Sequence, residues 1–208
     1  YAETYADWDI AGEVPTLQEV IEHSGATAIM GFTGCAGLFS EDIIKRLAKN
    51  SDQPIIFPLS NPNANCEASP QNIANWTEGK AIIATGSPFP AVTFDDRDIR
   101  VGQGNNAFVF PGIGFAAVLG KCSRISDDMV LESAYALTDY TAEHYLSHGM
   151  IYPPVSALRD VSIKVTARVL KVALDEGSSS RTELENINLE EYVKSRSWQA
   201  RYLPFVPA

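Results

Sequence analysis

Residues 101–119 read VGQGNNAFVFPGIGFAAVL. Asn105 and Asn106 stand between a glycine-rich turn and a nearly unbroken apolar stretch. Capping of the helix that follows explains one of them. Two amides in a row exceed what a cap requires. An amide donates through its NH2 and accepts through its carbonyl, so the pair suits a small hydroxy acid or the carboxamide of a nicotinamide. Three loops carry related chemistry: GFTGCAGLFS with Gly31, Thr33, Gly34 and Gly37; LSNPNANC with Ser60, Asn61 and Asn63; and TGSPFPAV with Gly86 and Ser87. Asn61 precedes Pro62, which holds it extended and gives its side chain a defined direction. The glycine loop alone is a weak signal, because GFTGCAG is not GxGxxG and its spacing fits many tight turns.

Other polar groups read more simply. Asp95, Asp96 and Asp98 are carboxylates of the type that binds a divalent cation, but DDRD between two strand-like pieces reads as a solvated turn. Asp127 and Asp128 are explained as first-turn residues of a helix. Cys35 has no basic neighbour in sequence to activate it. His144 and His148, four apart in HYLSH, lack an accompanying Glu or Cys at ligand spacing and read as a solvated helix end. Tyr152, before two prolines, reads as a packing residue.

Elements must bring those loops together. TLQEVIEHSG places Leu17, Val20 and Ile21 on one helical face and closes at Gly25. SEDIIKRLAKN has Ser40 as N-cap, Glu41 and Asp42 in the first turn, and Ile43, Ile44 and Leu47 on one face. SPQNIANWTEG has Ser69 as N-cap, Pro70 at the first helical position and Gly79 at the stop. Between these helices, TAIMGF, PIIFPLSNP and AIIATG are short apolar runs that read as buried strands. The alternation predicts a parallel sheet covered on both faces. Ligands of such sheets bind beyond the carboxyl ends of the strands, where the three loops lie. VTFDDRDIRVG reads as a hairpin, with Phe94 and Ile99 flanking the charged turn.

After Asn105 the pattern turns helical. NNAFVFPGIGFAAVLGKC is one helix, and SDDMVLESAYALTDY, with Ser126 as N-cap, is another. VSALRDVSIKVTARVLKVALDEG carries Val161, Val165, Val169 and Leu170 on one stripe. GSSSRTE reads as a surface loop or linker, NLEEYVKSRSW as a short helix and YLPFVPA as a Pro-rich tail. The fold class is α/β: an incomplete Rossmann-like parallel sheet, the C-terminal part of a nucleotide-binding domain over residues 1–104. A helical region over 105–208 packs on the same domain.

With 208 residues, 45% of them hydrophobic, the chain can bury a sizeable core. Its formal charge of −10 without a basic run argues against nucleic acid and anionic membrane as partners. No stretch approaches the ~20 apolar residues of a membrane span. Three widely spaced cysteines, Cys35, Cys66 and Cys122, fit reduced thiols. The first residue is Tyr1 rather than Met, so the chain reads as a fragment or processed piece.

In order and spacing, FTGCAGLFSEDIIKRL, QPIIFPLSNP, WTEGKAIIATGSPFPAV, GQGNNAFVFPGIGFAAV and ISDDMVLESAYAL resemble the C-terminal half of malic enzymes, from about Tyr1 through Gly177. YPPVSALRDVSIKV and WQARY fit the same family, the latter its bacterial, NAD-type members. The resemblance implies oxidative decarboxylation of malate to pyruvate and CO2 with NAD or NADP, NAD being the favoured cofactor. It implies that Asn61, Asn105 and Asn106 line the malate and nicotinamide site. With the strand-end loops, the candidate cofactor contacts are Gly31, Thr33, Ser60, Asn61 and Asn105. By the same resemblance the Mg²⁺ or Mn²⁺ ligands, the proton-transferring lysine and tyrosine, the malate-binding arginine and the GxGxxG loop lie upstream. No catalytic and no metal-binding residue is therefore assigned within the chain, and the 208 residues alone are expected to be inactive. A homo-oligomer is implied for the full-length form, in the cytoplasm or, alternatively, the mitochondrial matrix. The neighbouring readings are malolactic enzyme, which converts malate to lactate, and a truncated non-catalytic nucleotide-binding or assembly module. The module requires a stable fold despite a missing half of the sheet, whose exposed edge argues against it.

Overall fold

The computed structural model of the chain describes residues 5, 7–10, 12–199 and 202. These residues form two compact units: those up to Asn105 together with Leu146–Tyr152, and Asn106–Tyr145 together with those from Pro153 onward. Ala200, Arg201 and residues 203–208, which hold part of the WQARY motif and most of the Pro-rich tail, lie outside the described residues, as does Tyr1.

The first unit alternates helix and strand: α1 (Leu17–Ser24), β1 (Ala28–Gly31), α2 (Glu41–Leu47), β2 (Ile55–Pro58), α3 (Pro70–Trp76) and β3 (Ile82–Thr85). Side chains start the helices as read. Ser40 Oγ accepts from Ile43 N at 3.4 Å, and Ser69 Oγ accepts from Asn72 N at 3.2 Å. Thr16 adds a reciprocal capping box with Glu19 before α1. The strands pair in parallel, so that Ile29, Ile56 and Ile83 lie in register. These three are buried in one core with Ile21 of α1, Ile44 and Leu47 of α2, and Ile73 and Ala74 of α3.

Two expectations fail here. The hairpin is β4 (Val92–Phe94) and β5 (Arg97–Ile99), and its turn is Asp95–Asp96, both at positive φ, rather than the whole of DDRD. The residues after it form β6 (Val101–Gln103), a fourth parallel strand paired with β3, giving the order β1-β2-β3-β6. Three half-buried residues with Gly102 at the centre show no periodicity from which that strand is legible. Nor is the sheet covered on both faces at β1. Ile29 and Gly31 are buried, but Ala28 and Met30 are exposed. β1 stands at one end of the strand order, and the core shared with α1, α2 and α3 takes only alternate residues.

The second unit holds α4 (Phe110–Gly120), α5 (Asp127–His144), α6 (Leu158–Asp175) and α7 (Leu189–Arg196). α6 packs against the other three, and Val161, Val165, Val169 and Leu170 are all fully buried. Arg168 of α6 pairs with Glu132 and Asp139 of α5. GSSSRTE is not a surface loop throughout: Ser178 and Ser179 are buried. Ser179 Oγ donates to Gly120 O at 2.8 Å, and Ser178 Oγ donates to Ala173 O at 3.3 Å. Each carbonyl also accepts a backbone N–H, Gly120 O from Ser180 at 3.2 Å and Ala173 O from Ser179 at 2.9 Å, so the hydroxyls add a second donor at the ends of α4 and α6. No helix among the described residues is long and apolar enough to cross a membrane.

Candidate functional site

The carboxyl ends of β1, β2, β3 and β6 lie along one edge of the sheet, because all four strands run in parallel. Five of the residues singled out by sequence stand there: Gly31 closes β1, Thr33 follows it, Ser60 and Asn61 follow β2, and Asn105 follows β6. Asn106 lies just across the boundary of the second unit, exposed, in a short helical turn of residues 106–108. Neither asparagine caps α4. That helix begins at Phe110, and its N-cap position is Val109, which makes no side-chain cap bond. Asn105 directly precedes the turn of residues 106–108, so capping of that turn still accounts for one amide and leaves the other.

The amides of the first unit converge on the turn after β3. Ser87 Oγ donates to Asn61 Oδ1. Asn63 Nδ2 donates to Pro88 O at 2.9 Å, and Asn105 Nδ2 donates to Gly86 O at 3.4 Å. The turn is held from within by Thr85 Oγ1, which donates to Ser87 O at 2.8 Å. It is joined to β6 through Gly104 N, which donates to Thr85 O at 2.9 Å. Gly86 has no room for a side chain: a Cβ there would stand 2.2 Å from Leu59 O and 2.7 Å from Asn61 Oδ1.

The first two loops are joined by a residue that sequence reading missed. Glu67 is fully buried between the LSNPNANC loop and the N-cap of α3. Its carboxylate accepts from Thr33 N at 2.9 Å, from Thr33 Oγ1 at 2.8 Å and from Ser60 Oγ at 2.5 Å. Burial pushes its carboxyl up, but the hydrogen bonds from Ser60 and Thr33 outweigh burial and hold it below the ordinary carboxylate range. The one sequence signal is a lone acidic residue in NCEASP, two residues ahead of the Ser69 N-cap, where a carboxylate reads as a solvated loop charge. Gly31 also serves this residue: a Cβ on it would stand 2.5 Å from Glu67 Cδ.

The remaining candidates lie apart from this edge or do other work. Asp95, Asp96 and Asp98 are exposed on the hairpin. His144 ends α5, with its ring 4.6 Å from that of Tyr140. Cys35 is exposed in the first loop, while burial pushes the Cys66 thiol up. Tyr152 packs its ring near the backbone of Gly102 and Gly104. Among the described residues no cluster of three or more His, Cys, Asp or Glu side chains is arranged to hold a metal ion.

Residues 1–174 match the family model for the malic enzyme NAD-binding domain. The chain is 37% identical over 195 residues to the NAD-dependent malic enzyme of Psychrobacter arcticus, covering 94% of this chain and 34% of that protein. It is 37% identical over 200 residues to the NAD-dependent malic enzyme of Escherichia coli K12, covering 96% of this chain and 35% of that one. The chain thus spans about a third of the length of these relatives. In fold it is similar to the crystal structure of Entamoeba histolytica malic enzyme, with a TM-score of 0.71 at 21% identity, covering 88% of this chain and 34% of that one. It is also similar to the malic enzyme of Pyrococcus horikoshii, with a TM-score of 0.63 at 24% identity over 86% of this chain and 36% of that one.

Proposed function

The chain belongs to the malic enzyme family, through its NAD-binding domain, and from that premise we propose that its strand-end edge holds malate and the nicotinamide of NAD during oxidative decarboxylation of (S)-malate to pyruvate and CO2. Residues 1–104 are, on this reading, the C-terminal part of the nucleotide-binding domain. The observation that carries the proposal is the convergence of Asn61 and Asn105 on the turn at Gly86–Ser87. These are neutral groups with both donor and acceptor capacity, fixed at the ends of β2 and β6, the two parallel strands that flank β3, where such sheets take their ligands. The relatives named above support NAD over NADP.

The donor set fits the nicotinamide group. Bound NAD supplies the acceptor for the hydride that leaves C2 of malate. The protein's part is to orient. Asn61, Asn105 and Asn106 position the substrate's hydroxyl and carboxylate and the ring carboxamide. Gly31, Thr33 and Ser60 shape the backbone beneath them. The described residues do not fit a divalent metal. No acid or base is assigned to this chain, and we propose that the 208 residues alone do not turn over malate.

The test uses the polypeptide expressed from its full reading frame, with (S)-malate, NAD and Mn²⁺. NADH formation matched by pyruvate and CO2 is the expected result. Lactate without net NADH would replace the reading by the malolactic one. Absence of any malate-dependent chemistry would sink it. The same assay on the isolated 208 residues is expected to give no NADH, and turnover there would show that the chain carries its own acid, base and metal site.

A further inference from the structure

We propose that Glu67 is a positioning residue for the nucleotide edge: its buried carboxylate locks the Thr33–Gly34 turn to Ser60 and so fixes the platform from which Asn61 projects. The proposal rests on the reading that this edge holds a nicotinamide nucleotide.

The geometry is that of a clasp. Three donors, Thr33 N, Thr33 Oγ1 and Ser60 Oγ, converge on Oε1, while Oε2 faces Ser60 N at 3.4 Å. Ser60 Oγ in turn accepts from Gly34 N at 2.9 Å, and Thr33 Oγ1 accepts from Cys35 N at 3.1 Å. Two loops that follow different strands therefore share one carboxylate. The backbone of the same segment holds the far end of the first loop: Phe39 N donates to Glu67 O at 3.1 Å, and Gly37 N donates to Cys66 O at 3.3 Å. Residues 33–39 are thus held at both ends by residues 66 and 67.

Stability alone is a poor reason for such a group. Among the described residues no lysine or arginine forms an ion pair with Glu67, although it is fully buried. A buried carboxylate without a cation is costly and persists only where hydrogen bonds compensate it. An apolar residue would fill the space at less cost but would leave Thr33 N and Ser60 Oγ without this acceptor. What the carboxylate supplies is convergence: a single acceptor oxygen takes three donors from two loops, and Gly31 leaves the space for it. Because Asn61 follows Ser60 directly, its direction is set by this junction on one side and by Ser87 on the other.

Glutamine tests the clasp at constant shape. Its carbonyl oxygen keeps the donors now on Oε1, but its NH2 meets the N–H of Ser60. The experiment compares Glu67→Gln with the wild-type polypeptide from the full reading frame. Readouts are the KM for NAD, kcat, and amide hydrogen exchange at Thr33, Gly34 and Ser60. Ile73→Val, which trims a buried side chain in α3 away from the edge, serves as a destabilised control. Glu67→Gln is expected to speed exchange at the three amides and to raise the KM for NAD about fivefold to tenfold, with kcat within about twofold. Ile73→Val is expected to leave that KM unchanged. Should Glu67→Gln not fold, Thr33→Val removes one donor while keeping the β-branched shape, and a KM rise of about threefold is expected. Unchanged exchange in the variant overturns the clasp itself. Faster exchange with an unchanged KM, or an equal KM rise in Ile73→Val, overturns its positioning role. Wild-type polypeptide that does not bind NAD overturns the nucleotide reading on which the proposal rests, while the exchange data still decide the clasp.

Discussion

Gly86 and Asn61 are packed so closely that one fixes the other: a Cβ on Gly86 would lie 2.7 Å from the Asn61 amide oxygen and 2.9 Å from its nitrogen. The same Cβ would lie 2.2 Å from the carbonyl oxygen of Leu59, which belongs to the backbone and cannot rotate away. Gly86→Ala must therefore shift the β2 loop rather than a single side chain. Overpacking of this kind costs about 1–3 kcal/mol. The expected outcome is a lower melting temperature together with a loss of NAD-dependent malate oxidation larger than the stability loss explains. A variant that melts lower but keeps wild-type kinetics would separate Gly86 from the site.

Asn61 itself is tested by changing its donor without its shape. Asn61→Asp keeps an acceptor for Ser87 Oγ and replaces the NH2 by a second oxygen, which carries negative charge toward an anionic substrate. The KM for malate is expected to rise at least about tenfold, the loss of one charge-assisted hydrogen bond. Ser87→Ala removes only the orienting hydroxyl, and a rise of about twofold to fivefold is expected. Steady-state kinetics of the two variants decide the point. A smaller effect in Asn61→Asp than in Ser87→Ala would mean that the amide serves the turn and not the ligand.

Much of this edge was legible because turn chemistry is local. Ser40 and Ser69 announce their helices, apolar runs announce β1 to β3, and glycines and amides gather where those strands end. What was not legible depends on partners distant in sequence. Glu67 looks like any solvated loop acid until the fold brings it to Thr33, 34 residues away. β6 has three residues and no period, so it exists as a strand only because β3 is beside it. Ser178 and Ser179 read as linker composition because their burial comes from carbonyls at Gly120 and Ala173. The apolar run of β1 implied two covered faces, yet Met30 is 55% exposed because the helices take one face only.

The depressed carboxyl of Glu67 gives a pH signature. Burial alone would raise it, but the bonds from Ser60 and Thr33 prevail, so the folded state holds it below the value it takes in the unfolded chain. Its contribution is thus present above the ordinary carboxylate range and is lost as pH falls through the depressed value. Glu176 shifts in the same sense through bonds from Ser178 and Ser126, so acid destabilisation of the wild-type chain is not due to Glu67 alone. The difference between wild type and Glu67→Gln isolates it. Melting temperatures recorded from pH 7 down to about pH 3 are expected to fall more steeply for wild type, the two curves converging at low pH. Parallel curves would mean that the buried carboxyl takes no part in the acid transition.

The second unit offers a prediction that separates composition from structure. Ser179 and Ser180 are adjacent in a run of serines that reads as a linker, but only Ser179 is buried. Ser179 Oγ donates to Gly120 O at 2.8 Å and accepts from Arg181 N at 3.1 Å, joining the end of α4 to the segment after α6. Ser179→Ala leaves the N–H of half-buried Arg181 without that acceptor and takes one of two donors from Gly120 O, which keeps Ser180 N at 3.2 Å; it is expected to cost about 0.5–1.5 kcal/mol. Ser180 is exposed, and its bond to Lys121 O is 3.3 Å long, so Ser180→Ala is expected to stay within about 0.5 kcal/mol of wild type. Denaturant unfolding of the two variants measures both. Equal effects would mean that the Ser179 hydroxyl adds nothing to the backbone bonds, such as Ser123 N to Ser178 O at 2.9 Å, that already join the two ends.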